Sequence, residues 1–161
     1  MSTSLYVTIN DLICWFGARE ITAIASPDHG AILTEAQMLN PDGPEATAAA
    51  NRILDAITHA SRVADSHLSR RHALPLDAAV VADSPLARYC GDITRFLLWD
   101  DKPSETVRDR HDRAVKWLEA VATGKATLGG IAPPPPAAAG IGSPAFVAGF
   151  RQFDGEALQG F

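Results

Sequence analysis

This sequence predicts an all-α fold: a small bundle of about four helices followed by an extended C-terminal arm. Three observations carry that expectation. Apolar residues recur at helical spacing through most of residues 1–128. One short run, Ala78 to Ala82, is the only β-like stretch. Composition then changes abruptly: residues 129–161 hold seven of the twelve glycines, five of the eleven prolines and four of the six phenylalanines. A length of 161 residues suits one core plus an appendage rather than two full domains.

The helices follow in order. Thr8 is a good N-cap, and Asp11 three residues later complements the positive end of a helix running from Ile9 to Phe16. Gly17 breaks that helix, and a short turn of helix over Arg19 to Ala25 comes next. The segment Ser26 to Pro44 is rich in proline and glycine and predicts a loop with a helical piece at Thr34 to Leu39. A long helix spans Glu45 to Arg71. Ile53, Ile57, Ala60, Ala64 and Leu68 form its apolar stripe, while Arg52, Asp55, Arg62 and Asp65 lie elsewhere on its surface. The Leu74-Pro75-Leu76 stretch ends it, since the residue before proline avoids helical geometry.

Asp83 or Ser84 caps the next helix, with Pro85 in its first turn. Leu86, Cys90, Ile93 and Leu97 supply its inward face, adjoined by Tyr89, Phe96 and Trp99. Lys102-Pro103-Ser104 breaks the chain and caps a last helix from Glu105 to Thr123, with Val107, Ala114, Leu118 and Val121 inward and Gly124 as its stop. Trp15, Trp99 and Trp117 belong to core or to a subunit interface. Phe146, Phe150 and Phe153 have the spacing of one helix face, but Gly149 and Gly155 make that helix marginal without a partner to order it.

Composition excludes several classes of function. Hydrophobic residues make up 47% and charged residues 20%, and no apolar run approaches the ~20 residues of a membrane helix. The first residues lack the basic-then-apolar layout of a signal peptide, so synthesis in a reducing cytosol is expected. Cys14 and Cys90 have no metal-type spacing and are expected to be small apolar fillers on helix faces. The net charge is −5, and the segment from Gly124 onward is neutral, so the acidic excess lies in the body. Such a body repels a phosphate backbone unless its arginines are segregated, which disfavours sequence-specific nucleic-acid binding.

The chain also lacks the groupings that chemistry requires. His59, His67, His72 and His111 have no ligand at i+4 and no cysteine at short spacing, so no zinc site is expected and solvated surface is their simplest role. Asp100 and Asp101 adjoin each other and point in different directions, as caps rather than paired acids. Gly129-Gly130 and Gly140-Ile141-Gly142 follow no strand and open no helix, unlike a phosphate loop. No serine or cysteine sits in a nucleophile elbow. The expectation is a protein that is not an enzyme and takes no cofactor.

Four stretches, in order, resemble a known family: YVTINDLICWFGAREI (Tyr6 to Ile21), HLSRRHALPL (His67 to Leu76), SPLARYCGDITRFLLWDD (Ser84 to Asp101) and RHDRAVKWLEAVATGKATL (Arg110 to Leu128). Together they resemble the Mu-type family of small phage head–tail adaptor proteins, also called head-completion or connector proteins. The ending FRQFDGEALQGF is similar to that family's terminus, while His72 departs from its commoner aromatic.

The resemblance implies a structural virion protein in the neck between head and tail, assembled in the host cytoplasm. It implies a homo-oligomeric ring, usually a dodecamer, beneath the portal protein. Such a ring extends the DNA channel and offers the tail-terminator or neck protein a docking platform. On that reading residues 1–128 are the adaptor body. Pro133 to Pro136 stiffen an arm, and Phe146, Phe150, Arg151, Phe153, Leu158 and Phe161 anchor it to the portal or to a neighbouring subunit. Arg70 and Arg71 are the candidates to face non-specific DNA passing through the channel, with charge compensation at a helix C-terminus as their other role. The reading from another class is a cytosolic helical interaction module with a partner-binding tail.

Overall fold

A computed structural model describes residues 5–26, 33–99 and 102–129, and these residues form seven helices and no strand. Residues 130–161, which include every arm residue named above, lie outside the described residues, as do Asp100 and Asp101. The four expected helices are present. They are α1 (Ile9–Phe16), α4 (Pro44–Leu68), α6 (Leu86–Leu98) and α7 (Glu105–Thr123). Three short helices, α2 (Ala18–Ala25), α3 (Glu35–Leu39) and α5 (Ala78–Ala82), fill the connections.

Local chemistry sets most boundaries. The Asp11 N–H donates to Thr8 Oγ1 at 3.2 Å, and the Thr8 N–H donates back to Asp11 Oδ2 at 2.9 Å, a complete capping box for α1. Thr34 and Gln37 repeat the device at α3, at 3.3 and 3.0 Å. Gly17 has φ 87°, a conformation that costs a side-chain-bearing residue, and this lets α2 start at once in a new direction. Pro44 opens α4 at a position where no N–H is needed. Ser104 Oγ accepts from the Val107 N–H at 3.4 Å to start α7, and the left-handed Gly124 (φ 76°) ends it.

Three boundaries or faces differ from expectation. The long helix closes at Leu68 instead of Arg71, because the Arg71 and His72 amides both converge on the Leu68 carbonyl, at 3.0 and 2.9 Å. The β-like run Ala78 to Ala82 is a helix. Asp77 Oδ1 accepts the Ala79 N–H at 3.1 Å and nucleates a turn, and no strand among the described residues is there to pair with it. On α6 the inward residue of the last turn is Leu98 and not Leu97, which is half-buried. The buried stripe there is broad, taking in Gly91, Asp92 and Thr94, and its centre line leads to position 98.

The core forms where α4 packs against α6 and α7, with α1, α2 and α3 against other parts of α4 and α6. Ala49, Ala60 and Ala64 on α4 are fully buried, and their small side chains let neighbouring helices approach closely. Leu12, Ile21, Ile53, Ile57, Leu86 and Leu118 fill the space between the layers, each contributing about 1.5–3 kcal/mol by burial. Among the described residues no helix is long and apolar enough to cross a membrane.

The two cysteines separate. Cys90 is buried in the core as expected, whereas Cys14 is exposed on the outer face of α1 and fills nothing. Burial, and then the nearby Asp65 charge, push the Cys90 thiol up to about 12. Native protein should therefore release colour from a disulfide thiol reagent for a single thiol, Cys14. Cys90 should react only once the chain is unfolded. Fast reaction of both native thiols would contradict this core.

Candidate functional site

Of the seven aromatic residues among the described residues, Tyr6 is buried and the other six are half-buried. Trp15, Phe16, Tyr89, Trp99 and Trp117 therefore pack against the core while remaining partly exposed, and Phe96 is half-buried on α6. Interfaces between proteins are enriched in tryptophan, tyrosine and arginine presented in this way. The tryptophans thus lie between core and surface.

Arginines sit on this aromatic band. Arg88, from the first turn of α6, lies over both Trp15 and Phe16, its guanidinium carbon 5.1 and 4.8 Å from the ring centres. Arg95, two turns later, has its guanidinium carbon 4.8 Å from the centre of the Phe16 ring and binds Glu20 of α2 through Nε at 2.7 Å and Nη2 at 2.5 Å. Trp15 can come so close to α6 because position 91 is glycine. A Cβ there would lie 2.8 Å from the indole ring. On the other side of α6, Tyr89 meets Trp117 at 4.9 Å, and Phe96 stacks on His111 at 4.1 Å and 24°. His111, expected as solvated surface, is therefore a stacked ring, with Nδ1 3.2 Å from Asp112 Oδ1.

Asp92 is the one charged residue buried within this region. Its Oδ1 has no hydrogen-bond partner and lies 4.0 Å from Nη1 of Arg110, whose side chain is 41% exposed. Burial raises its pKa, and the opposing fields of Arg88, Arg110 and Arg95 do not cancel that rise. A carboxyl group with a raised folded-state pKa binds its proton more tightly in the folded chain. Stability is then highest below the ordinary aspartate range and declines as pH rises through it towards the raised value, so charged Asp92 weakens the fold at neutral pH. Asp92→Asn should accordingly raise the melting temperature at pH 7. The gain should shrink as the pH falls from the raised value to about 4, below which the carboxyl is neutral in the folded and unfolded chain alike. A lower melting temperature at pH 7 would show that the arginines hold Asp92 in place as a net stabilising charge.

The two candidates for DNA contact part company. Arg70 is exposed just beyond α4. Arg71 is half-buried, with its guanidinium against Gly124, where any Cβ would collide with it. Because α7 has no basic residue in its own last turn, Arg71 brings a cation from another element to that helix's negative end. His59 is exposed and His67 and His72 are half-buried, and the described residues hold no group of three potential metal ligands.

Sequence reasoning missed Arg88, Arg95, Arg110, Glu20 and Asp92. A signal existed for part of this set, since Arg88, Asp92 and Arg95 recur at i, i+4 and i+7 on one helix face. Nothing local joins them to Trp15, Phe16 or Arg110.

Comparison with known proteins gives this arrangement a context. The chain is 31% identical over 78 residues to the Mu-like prophage FluMu protein gp36 of Haemophilus influenzae, a match covering 48% of this chain and 53%, about half, of that protein. It is 29% identical over 124 residues to gene product J of Escherichia phage Mu, covering 77% of this chain and 76% of that protein. The family model described as Bacteriophage Mu, Gp36 matches residues 6–143, which takes in the whole helical body and the start of the arm. On that match the chain belongs to the bacteriophage Mu Gp36 family.

Proposed function

We propose that this protein is a structural, non-enzymatic component of a phage virion: a head–tail adaptor that forms a ring under the portal. The observation that carries the reading is the Mu Gp36 family match over residues 6–143. The helical body supports it, because a half-buried band of Trp15, Phe16, Arg88, Tyr89 and Trp117 is chemistry suited to contact between subunits. A ring joins each copy to the next through two different surfaces, and it closes only if the rotation between copies is right. Portal supplies a template that fixes that rotation. The ring then continues the DNA channel, with Arg70 as the exposed cation available to passing duplex, and the far side receives the tail-terminator or neck protein.

Purified alone, the protein should be a monomer or weak oligomer, and it should join cognate portal as a closed ring. Sedimentation of the mixture followed by negative-stain microscopy reads both. Portal particles that sediment free of the protein, with no added ring in projection, would remove the adaptor reading.

A further inference from the structure

An apolar groove of about 530 Å³ opens between the segment before α1, α1 itself, and the chain from Leu76 into α6. Leu5, Trp15, Leu76, Val81 and Ala87 line it, and Arg88 stands on its wall. Leu5 is 51% exposed there, the most exposed large apolar side chain among the described residues. The adaptor reading draws on Trp15 and Arg88 at its wall but assigns no occupant to the groove itself.

The course of the chain identifies an occupant. Leu128 is fully buried and pins the segment after α7 to the body. Gly129 follows with φ 38°, so close to the Asp83–Ser84 peptide that a Cβ would lie 2.9 Å from the Asp83 carbonyl oxygen. Ser84 itself lines the groove. The arm therefore sets out from the groove's edge. Sixteen residues separate Gly129 from Phe146, and a chain of that length reaches roughly 50 Å when extended, ample to double back. The arm also carries what the groove lacks: Phe146, Phe150 and Phe153 at i, i+4 and i+7 to fill an apolar cleft, then Asp154 and Glu156 to face the Arg88 cation.

We infer that this groove receives the phenylalanine segment of the same chain's C-terminal arm, with Phe146, Phe150 and Phe153 among Leu5, Trp15, Val81 and Ala87 and the following acids beside Arg88. Attachment within one chain gives the segment an effective concentration in the millimolar range, far above that of a second copy in dilute solution. The free subunit then keeps its arm on its own body until a partner competes for the same rings. This inference stands apart from the identity of that partner.

The test uses the full chain with the photoreactive benzoylphenylalanine in place of Phe150, irradiated when dilute and mapped by mass spectrometry. A cross-link within one chain, to residues 5–15 or 76–88, is the expected result. Cross-links at the groove between two chains would make a second copy the occupant and overturn the inference, as would cross-links confined to other parts of the body. Amide hydrogen exchange gives an independent reading and decides alone where no cross-link forms. Replacing Phe146, Phe150 and Phe153 together with serine should speed exchange over residues 77–84 about tenfold, with α4 unchanged, and identical exchange in the two proteins would overturn the inference.

Discussion

Replacing Leu118 with alanine should lower the melting temperature by on the order of 10 °C, the largest stability effect expected of a single truncation in this body. Leu118 is fully buried on α7 at the interface with α4 and α6. Alanine removes buried methyl groups and leaves a cavity that the packed helices α4 and α6 cannot readily close. Such truncations cost about 2–5 kcal/mol, and each kcal/mol moves the midpoint of a chain this size by roughly 2–4 °C. Leu54→Ala is the matched control: the same change on α4 at a side chain 41% exposed. It should stay within about 0.5 kcal/mol of the native protein. Thermal unfolding followed by circular dichroism measures both, and equal effects at the two positions would mean that α7 does not close the core.

Deleting Pro133 to Phe161 should leave a folded, soluble body that no longer joins heads, so that complementation yields tailless particles. The motivation is the concentration of Phe146, Phe150, Phe153 and Phe161 in a sparsely charged Gly/Pro-rich segment too poor in other apolar residues to build its own core. On the adaptor reading proposed above, rings buried against a partner would contribute several kcal/mol per subunit, less the cost of ordering the arm, and repetition around a ring would add avidity. The body's own core is complete without these residues, from Val7 on the N-terminal side to Leu128. Two measurements separate the outcomes. A truncated protein that completes heads normally would remove the anchoring role of the arm. A truncated protein that melts far below the native chain would make the arm part of the fold.

Much of the candidate site escaped sequence reasoning for an identifiable reason. The cation band was half legible: Arg88, Asp92 and Arg95 share one face of α6 at helical spacing. Their aromatic partners come from α1, and the ion pair to Glu20 closes across 75 residues. Tyr6 likewise donates its hydroxyl proton to Asp65 across 59 residues, drawing a supposed surface acid of α4 into the packing of the N-terminal segment. Neither pairing has a local signature. Arg70 and Arg71, adjacent in sequence, looked equivalent, yet only Arg71 lies under the end of α7.

Local sequence is enough for the helical class, the starts of α1, α3 and α7, and the buried stripes of α4 and α7. These features depend on interactions spanning three or four residues: a threonine or serine oxygen meeting an amide one turn on, and apolar side chains recurring every turn. Residues 78–82 coil rather than extend through a local cap, the Asp77 carboxylate on the Ala79 amide, whereas tertiary structure alone decided that Leu98 and not Leu97 turns inward. It also decided that Trp15 lies against Gly91 and that Asp92 loses its solvent. A five-residue apolar run satisfies either period, and the facing of a helix within its own broad apolar stripe is degenerate by one residue. The cap at Asp77 resolves the first, while the second is resolved only by which neighbours the assembled helices bring within contact distance, and those neighbours lie tens of residues away in the chain.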